Sequence, residues 1–190
     1  TNILVFSTAI AVENFSADIT DFSSDVAIVN DEAVFTAEHF YREVGSPRLP
    51  VEYASFLLPD DADLSTIEVL VDTSTYDLAG ITYVAPVVPD GSFSEQEWAF
   101  YPDWKNPAIY QANDSIFPSP IGTFQIGKYR HLKSIQVPYY PFNYNPVTGQ
   151  LYRLTSLSLS VLYEYEAGGG TQGATITVPF NASKSAKVIY

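Results

Sequence analysis

The chain has 190 residues, with 22 acidic and 9 basic side chains and a formal net charge of −13. This charge excludes nucleic acid as an expected partner, because phosphate binding needs clustered Lys and Arg. The chain has no cysteine, which excludes disulfides, thiolate metal sites and a cysteine nucleophile within it. It also has no run of about 18 apolar residues that would predict a membrane span.

Strands are the elements that the composition favours, because 15% of the residues are aromatic and 13 prolines and 10 glycines punctuate the chain. Residues 65–72, 134–140 and 155–166 alternate apolar and polar side chains, as half-buried strands of an antiparallel sheet do. Turn signals at intervals of about 8–12 residues are typical of a sandwich or barrel. Further strand candidates, in chain order, are Ile3–Ala9, Asp25–Asn30, Val51–Leu57, Gly80–Val87 and Phe124–Lys128.

Residues 31–41 are the best helix candidate. Ala33, Ala37, Phe40 and Tyr41 approximate one helical face. A strand fits the same segment equally well, so both interpretations stay open at this stage.

The stretch from Asn145 to Gly149 predicts a sharp turn. Asn145 can start it, Pro146 fixes φ at the next position, and Gly149 can take a positive φ and form a G1 bulge. We expect residues 134–142 and 150–163 on either side of this turn to pair as a long hairpin.

Two motifs lie about 95 residues apart, from Leu49 to Tyr144. The first has the form Gly-x-Pro-x-Leu-Pro and consists of Gly45, Pro47, Leu49 and Pro50. The second has the form Pro-x-x-Tyr-Asn-Pro-x-Thr-x-x-Leu and consists of Pro141, Tyr144, Asn145, Pro146, Thr148 and Leu151. In this order the motifs resemble those of the propeptide domain of gingipain-type cysteine proteases, peptidase family C25. The resemblance covers about residues 25–166.

This resemblance implies an all-β fold, an antiparallel and jelly-roll-like β-sandwich with little or no helix. It implies a non-catalytic propeptide that precedes a caspase-like catalytic domain, keeps that protease latent and assists its folding. The partner would be the cysteine protease catalytic domain of the same precursor. The location would be secreted, periplasmic or cell-surface, with any signal peptide removed or not included. No cofactor or metal is implied, and the sequence does not predict an oligomeric state.

In the family, a loop between an Ala-Pro strand end and a Tyr…Pro region reaches into the protease cleft, and the matching interval here is Pro89–Pro107. The candidate contact residues in it are Phe93, Trp98, Asp103, Trp104 and Lys105. Family members that inhibit basic-specific proteases can present an Arg from this loop, whereas Lys105 is the only Lys or Arg between Arg48 and Lys128. If the cognate protease prefers Lys or Arg, Lys105 is the side chain best placed to pair with an acid in its pocket; the alternative is that Lys105 is a solvated loop lysine and that aromatic anchors such as Trp98 and Trp104 carry the contact.

Three charged clusters have both functional and structural interpretations. His39 with Glu38 and Glu43 lacks the spacing of a metal site. Asp60, Asp61 and Asp63 form either a calcium site or an acidic turn, without the glycine and distal Glu of an EF-hand loop. Lys128, Arg130 and Lys133 form either a patch for an acidic partner or a solvated strand edge.

The composition changes after Glu166, which divides the chain into a domain at residues 1–166 and a glycine-rich linker and tail at residues 167–190. The tail either leads to a downstream catalytic domain or adds an edge strand through Ile176, Val178 and Phe180. A rival function is a secreted adhesion or carbohydrate-binding sandwich, in which Trp98, Trp104 and Tyr110 would be stacking platforms.

Overall fold

Strands dominate the computed structural model, which describes residues 12–88, 104–111, 116–130 and 132–165. The described strands are β1 Val12–Ile19, β2 Asp25–Val29, β3 Glu32–Thr36, β4 Glu52–Leu58, β5 Ala62–Ile81, β6 Gln125–Tyr129, β7 Leu132–Tyr139, β8 Phe142–Asn145 and β9 Gln150–Tyr165. One short helix, α1, spans Pro107–Tyr110. In these ranges no helix is long and apolar enough to cross a membrane. The strand candidate Ile3–Ala9 lies outside the described residues.

Two antiparallel sheets form a sandwich, which confirms the all-β prediction. The first sheet has the order β1-β9-β5, with β8 paired to the start of β9, and the second has the order β4-β7-β6. Inward side chains of both sheets meet in one buried cluster. The rings of Phe15 on β1 and Phe56 on β4, for example, lie with their centroids 5.4 Å apart.

Strand β9 is the central strand of the first sheet, and its alternating apolar side chains point into this core. Leu157, Leu159 and Val161 are at most 1% exposed, while the serines between them point to the other face. Burial of each such side chain contributes roughly 1.5–3 kcal/mol, so the β9 stripe is a main source of stability.

A second, smaller core lies beneath the β2–β3 hairpin. Its buried members are Leu49, Val84, Phe142, Tyr144 and Leu151. The hairpin covers them from one side, where the ring of Phe35 lies 5.2 Å from that of Phe142. This core therefore joins the two sequence motifs to the segment that follows β5.

The helix interpretation of residues 31–41 is wrong, because Glu32–Thr36 forms strand β3 paired with β2. Asn30 and Asp31 have φ values of 50° and 65°, which close the hairpin with the two-residue turn that Asn and Asp favour. Within β3, Ala33 and Phe35 then point to the second core. The short segment fits the helical and the strand period equally well, and the packing of Ala33 and Phe35 against the second core favours the strand.

The expected long hairpin is also wrong. β7 ends at Tyr139 and pairs with β4 and β6 in the second sheet. Pro141, which has no N–H to donate, lies where the chain crosses to the first sheet, and its carbonyl accepts a hydrogen bond from the Leu154 N–H at 2.8 Å. Only the four residues of β8 pair with β9 across the turn.

The turn itself is only partly as predicted. Gly149 has a φ of 71°, which confirms its left-handed conformation. The register runs from Tyr144–Leu151 to Asn145–Gln150 without a shift, so the connection is a four-residue loop and not a G1 bulge. The N–H of Gly149 closes it by donating to the carbonyl of Asn145 at 2.8 Å.

The strand expected at Gly80–Val87 is confirmed only for its first two residues, because β5 ends at Ile81. Residues 82–88, which we call the connecting segment, form isolated bridges instead. Tyr83 pairs with Glu32 and Pro86 pairs with Pro47. This segment leads directly into the interval Pro89–Pro107, for which the family resemblance predicts a protease-contacting loop.

Candidate functional site

The first motif forms a short ladder with the connecting segment. The Gly45 N–H donates to the Val87 carbonyl at 2.9 Å, and the Val87 N–H donates to the Ser46 carbonyl at 2.8 Å. The Arg48 N–H adds a bond to the Ala85 carbonyl at 2.9 Å. The end of the connecting segment is thereby fixed in place.

Gly45 also holds the other end of the predicted loop. Its carbonyl accepts a hydrogen bond from the Asn106 N–H at 2.9 Å. Gly45, Val87 and Asn106 therefore form what we call the loop stem, in which one residue binds the chain on both sides of residues 89–103. This arrangement could not be read from the sequence, because Gly45 is distant along the chain from both partners.

The loop stem requires glycine at position 45 for two reasons. Its φ of 87° is a conformation that side chains rarely adopt. A Cβ atom there would lie 3.1 Å from the Trp104 carbonyl oxygen and 3.1 Å from the Asn106 nitrogen. The motif glycine thus combines a left-handed backbone with close approach of another chain segment.

Residues after the loop return to the protein body through helix α1. The Asn106 side-chain oxygen caps it by accepting from the Ala108 N–H at 2.9 Å, and Pro107 occupies its first turn. The Tyr110 hydroxyl donates to the Val84 carbonyl at 3.1 Å, and burial raises the pKa of Tyr110. The Asn-Pro pair is the one local signal from which this anchor could have been predicted.

Lys105 lies against the protein body. Its ammonium nitrogen is 5.1 Å from the ring centroid of Tyr83 and 5.7 Å from that of Tyr110. These are cation–π distances. Trp104 beside it is half-buried and has a φ of 40°.

The second motif holds the start of the connecting segment. The Tyr144 hydroxyl donates to the Thr82 carbonyl at 3.2 Å, and the Thr82 N–H donates to the Gly149 carbonyl at 2.8 Å. The Asn145 side-chain oxygen accepts from the N–H groups of Val147 and Thr148 at 3.0 and 3.2 Å, which shapes the turn. Burial raises the pKa of the Tyr144 hydroxyl and keeps it a donor.

The remaining motif residues support these contacts from within the structure. Leu49 and Leu151 are fully buried in the second core. Pro50 pairs with Phe40 in an isolated bridge, and Pro146 and Thr148 lie in the four-residue turn. The two motifs therefore hold opposite ends of the connecting segment: the second motif binds its start at Thr82, and the first binds its end at Val87.

Of the five candidate contact residues predicted from the sequence, the structure describes two. Phe93, Trp98 and Asp103 lie outside the described residues. Trp104 and Lys105 lie at the loop stem, where Trp104 is half-buried and Lys105 is exposed with its ammonium near the rings of Tyr83 and Tyr110.

The charged clusters show structural partners. Asp63 accepts hydrogen bonds from the Ser65 N–H and hydroxyl at 2.9 and 2.7 Å, which lower its pKa. The His39 ring packs edge-on against Tyr53 at 5.5 Å. Among residues 12–88, 104–111, 116–130 and 132–165, no group of three or more His, Asp or Glu side chains is placed to hold a metal ion.

Lys133 fits neither of the two interpretations of the cluster that it was expected to form with Lys128 and Arg130. It is only 4% exposed, and its ammonium donates to the Ala62 carbonyl at 2.7 Å. Lys133 therefore ties β7 to the start of β5 and is part of neither a surface patch nor a solvated edge. Lys128 and Arg130 are exposed, and His131 lies outside the described residues.

Comparison with known proteins gives a family and a fold. The model of the C25 propeptide family matches residues 14–187. A complex of the pro- and mature domains of RgpB from Porphyromonas gingivalis shares the fold, with a TM-score of 0.54 and 22% identity over 90% of this chain and 88% of that chain. So does a structure on the zymogenic latency of gingipain K from the same organism, with a TM-score of 0.54 and 17% identity over 86% of this chain and 97% of that one. No curated protein matches this chain.

Proposed function

The chain belongs to the C25 propeptide family, and from that premise we propose that it keeps the catalytic domain of its own precursor latent by blocking the protease cleft. We further propose that it assists the folding of that domain and is exported with it. The partner is a C25-type cysteine endopeptidase, and the propeptide contributes no catalytic group of its own.

The loop stem is the observation that supports this function best. Gly45 binds Val87 on one side and Asn106 on the other, so the chain before and after residues 89–103 is held at one point. A loop with fixed ends loses less conformational entropy when it binds than a free segment does. In this chain, the loop stem is therefore suited to support an inhibitory loop that binds the protease tightly and dissociates slowly.

We assign the protease contact to the interval Pro89–Pro107. Phe93 and Trp98 are the aromatic anchors, since large aromatic side chains carry most binding energy at interfaces. Asp103 provides an acidic group at the edge of the contact. Trp104 and Lys105 support the interval from the loop stem, where their own contacts lie.

Residues 167–190 connect the sandwich to the catalytic domain in this proposal, and maturation cuts the chain within them. Glycine-rich segments such as Gly168–Gly173 are preferred sites of proteolysis, and Lys184 and Lys187 provide further candidate positions. Mass mapping of the fragments released during maturation tests this division. Cuts that all fall before Glu166 would contradict it.

Inhibition by the isolated chain is the direct test of the function. We expect the chain to inhibit the mature peptidase of its own precursor with an inhibition constant below about 1 μM, a free energy of roughly 8 kcal/mol. Refolding of the denatured catalytic domain should give more active enzyme when the chain is present. Absence of inhibition at micromolar concentration would overturn the proposed function.

A further inference from the structure

A groove opens along the edge of strand β3 that faces away from β2. It has a volume of about 530 Å³, and we call it the β3 groove. One wall is this edge of β3, and the other wall belongs to the connecting segment and the first motif. The lining residues are residues 32–37, Phe40, Arg48, Val84 and Ala85.

The β3 groove exists because β3 and the connecting segment begin a parallel ladder and then separate. The Ala33 N–H donates to the Tyr83 carbonyl at 2.9 Å. A continued parallel ladder would next join Phe35 to Ala85. The Ala85 carbonyl instead accepts a hydrogen bond from the Arg48 N–H at 2.9 Å. In the described part of the chain, the bridge at Tyr83 is the only one on this edge of β3.

The backbone of β3 is oriented to pair with one more strand in the groove. After the two-residue turn, Glu32 and every second residue that follows it bond to β2, so the residues between them point their N–H and carbonyl groups the other way. Phe35 is one of these residues. An extended peptide adds to such an edge through main-chain hydrogen bonds. The groove is therefore suited to an extended segment of another protein.

The side chains give the groove an apolar middle and a charge at each end. Phe35 and Phe40 are half-buried, and Val84 is buried. Glu32 lies at the end where β3 meets the connecting segment, and Arg48 lies at the end where they have separated. An apolar strip between opposite charges favours a partner segment with apolar side chains and one acid at the Arg48 end.

Arg48 is the side chain that selects the partner. Its guanidinium carbon lies 4.4 Å from the centroid of the Phe40 ring, which is a cation–π distance. This position leaves N–H groups of the exposed guanidinium available to a carboxylate, which Arg binds through two parallel hydrogen bonds. Within residues 12–88, 104–111, 116–130 and 132–165, no Asp or Glu forms an ion pair with Arg48. In a chain with 22 acidic and 9 basic residues, such a cation matches an acid on a partner.

The position of the groove indicates which protein fills it. Ala85 in its wall lies two residues before Val87 of the loop stem, so a protein that binds at the stem reaches the groove without a gap. On the premise of the proposed function, we infer that the β3 groove is a second contact with the catalytic domain of the precursor. An extended surface segment of that domain adds to the edge of β3, and an acidic side chain of this segment pairs with Arg48.

The first arm of the test measures the dissociation constants of the chain and its variants for the mature peptidase of the precursor, by surface plasmon resonance. We expect Arg48→Glu to weaken binding at least about tenfold, because it sets two acids against each other. Arg42→Glu makes the same charge change at an exposed position outside the groove lining, and it should weaken binding no more than about threefold. Equal dissociation constants for the two variants would overturn the inference.

The second arm uses the unmodified chain, so it does not depend on how a variant folds. Hydrogen exchange is followed by mass spectrometry for the chain alone and in complex with the mature peptidase. Strand addition gives the Phe35 amide a hydrogen-bond partner, so exchange in residues 33–37 should slow at least about tenfold in the complex. Unchanged exchange would overturn the inference. Exchange that slows in the chain alone as its concentration rises would mean that a second copy fills the groove, and this result would also overturn it.

The proposed function is tested separately by the inhibition constant of the same unmodified chain. Inhibition, combined with equal binding by Arg48→Glu and Arg42→Glu, would keep the propeptide role and remove the inference. Binding that depends on Arg48 and slows exchange, without inhibition, would keep the groove contact and remove the role. Absence of any binding at micromolar concentration would remove both.

Discussion

Two glycines in left-handed conformations show what a sequence reveals at the scale of the residue. The φ of 71° at Gly149 follows an Asn-Pro-x-Thr-Gly stretch, and this local pattern was enough to predict it. Gly45 has a φ of 87° and lies in a local turn, which the Ser46 N–H closes by donating to the Glu43 carbonyl at 3.1 Å. Its hydrogen bonds to Val87 and Asn106 are long-range, and no local pattern reveals them.

Gly149→Val tests the turn. A β-branched residue at positive φ is strained, and its Cβ would lie 3.2 Å from the Thr82 carbonyl oxygen, so we expect a loss of about 1 kcal/mol or more in the free energy of unfolding. Chemical denaturation measures this loss. Val147→Ala, at an exposed position of the same turn, is the control and should change stability by less than about 0.5 kcal/mol. An unchanged denaturation midpoint for Gly149→Val would contradict the assignment.

At the scale of the element, regular alternation was predictable and interrupted alternation was not. The alternating residues 155–166 correspond to most of β9. β5 runs on to Ile81, whereas the sequence indicated a strand only over residues 65–72 and a separate one from Gly80. Register shifts after Val71 and Leu78 insert an extra residue in β5, and they interrupt the period-two pattern that marks a strand.

The β2–β3 hairpin provides a test of strand alternation where the helix interpretation failed. Phe35→Ala should lower the free energy of unfolding by about 2 kcal/mol, less than the loss for a fully buried Phe because Phe35 is half-buried against Phe142. Val34→Ala, on the opposite face and 53% exposed, should cost less than about 0.5 kcal/mol. Thermal or chemical unfolding of both variants gives the comparison. Equal losses would mean that the two positions do not lie on opposite faces of a strand.

At the scale of the whole molecule, the resemblance to C25 propeptides and the antiparallel fold are both confirmed. The spatial relation between the two motifs was not visible in the sequence. One motif holds Thr82 and the other holds Val87, so together they fix the connecting segment that leads into the loop. Long-range backbone hydrogen bonds of this kind depend on the assembled sandwich. The family pattern was therefore enough to propose candidate contact residues, but the loop stem could not be predicted.

The central claim of the proposed function is that Gly45 holds the chain on both sides of the proposed inhibitory loop and that latency depends on this geometry. Gly45→Ala and Gly149→Ala impose comparable strain, since both residues have positive φ and a Cβ at either would lie 3.1 or 3.2 Å from backbone atoms. Only Gly45 belongs to the loop stem. Gly149→Ala is therefore the matched control for the general cost of strain.

The decisive measurement is the inhibition constant of the chain against the mature peptidase of its precursor, for the unmodified chain and both alanine variants, at a temperature where circular dichroism shows all three folded. We expect Gly45→Ala to weaken inhibition at least about tenfold more than Gly149→Ala, a difference of roughly 1.4 kcal/mol. Equal inhibition constants for the two variants would contradict the claim that the loop stem positions the inhibitory loop.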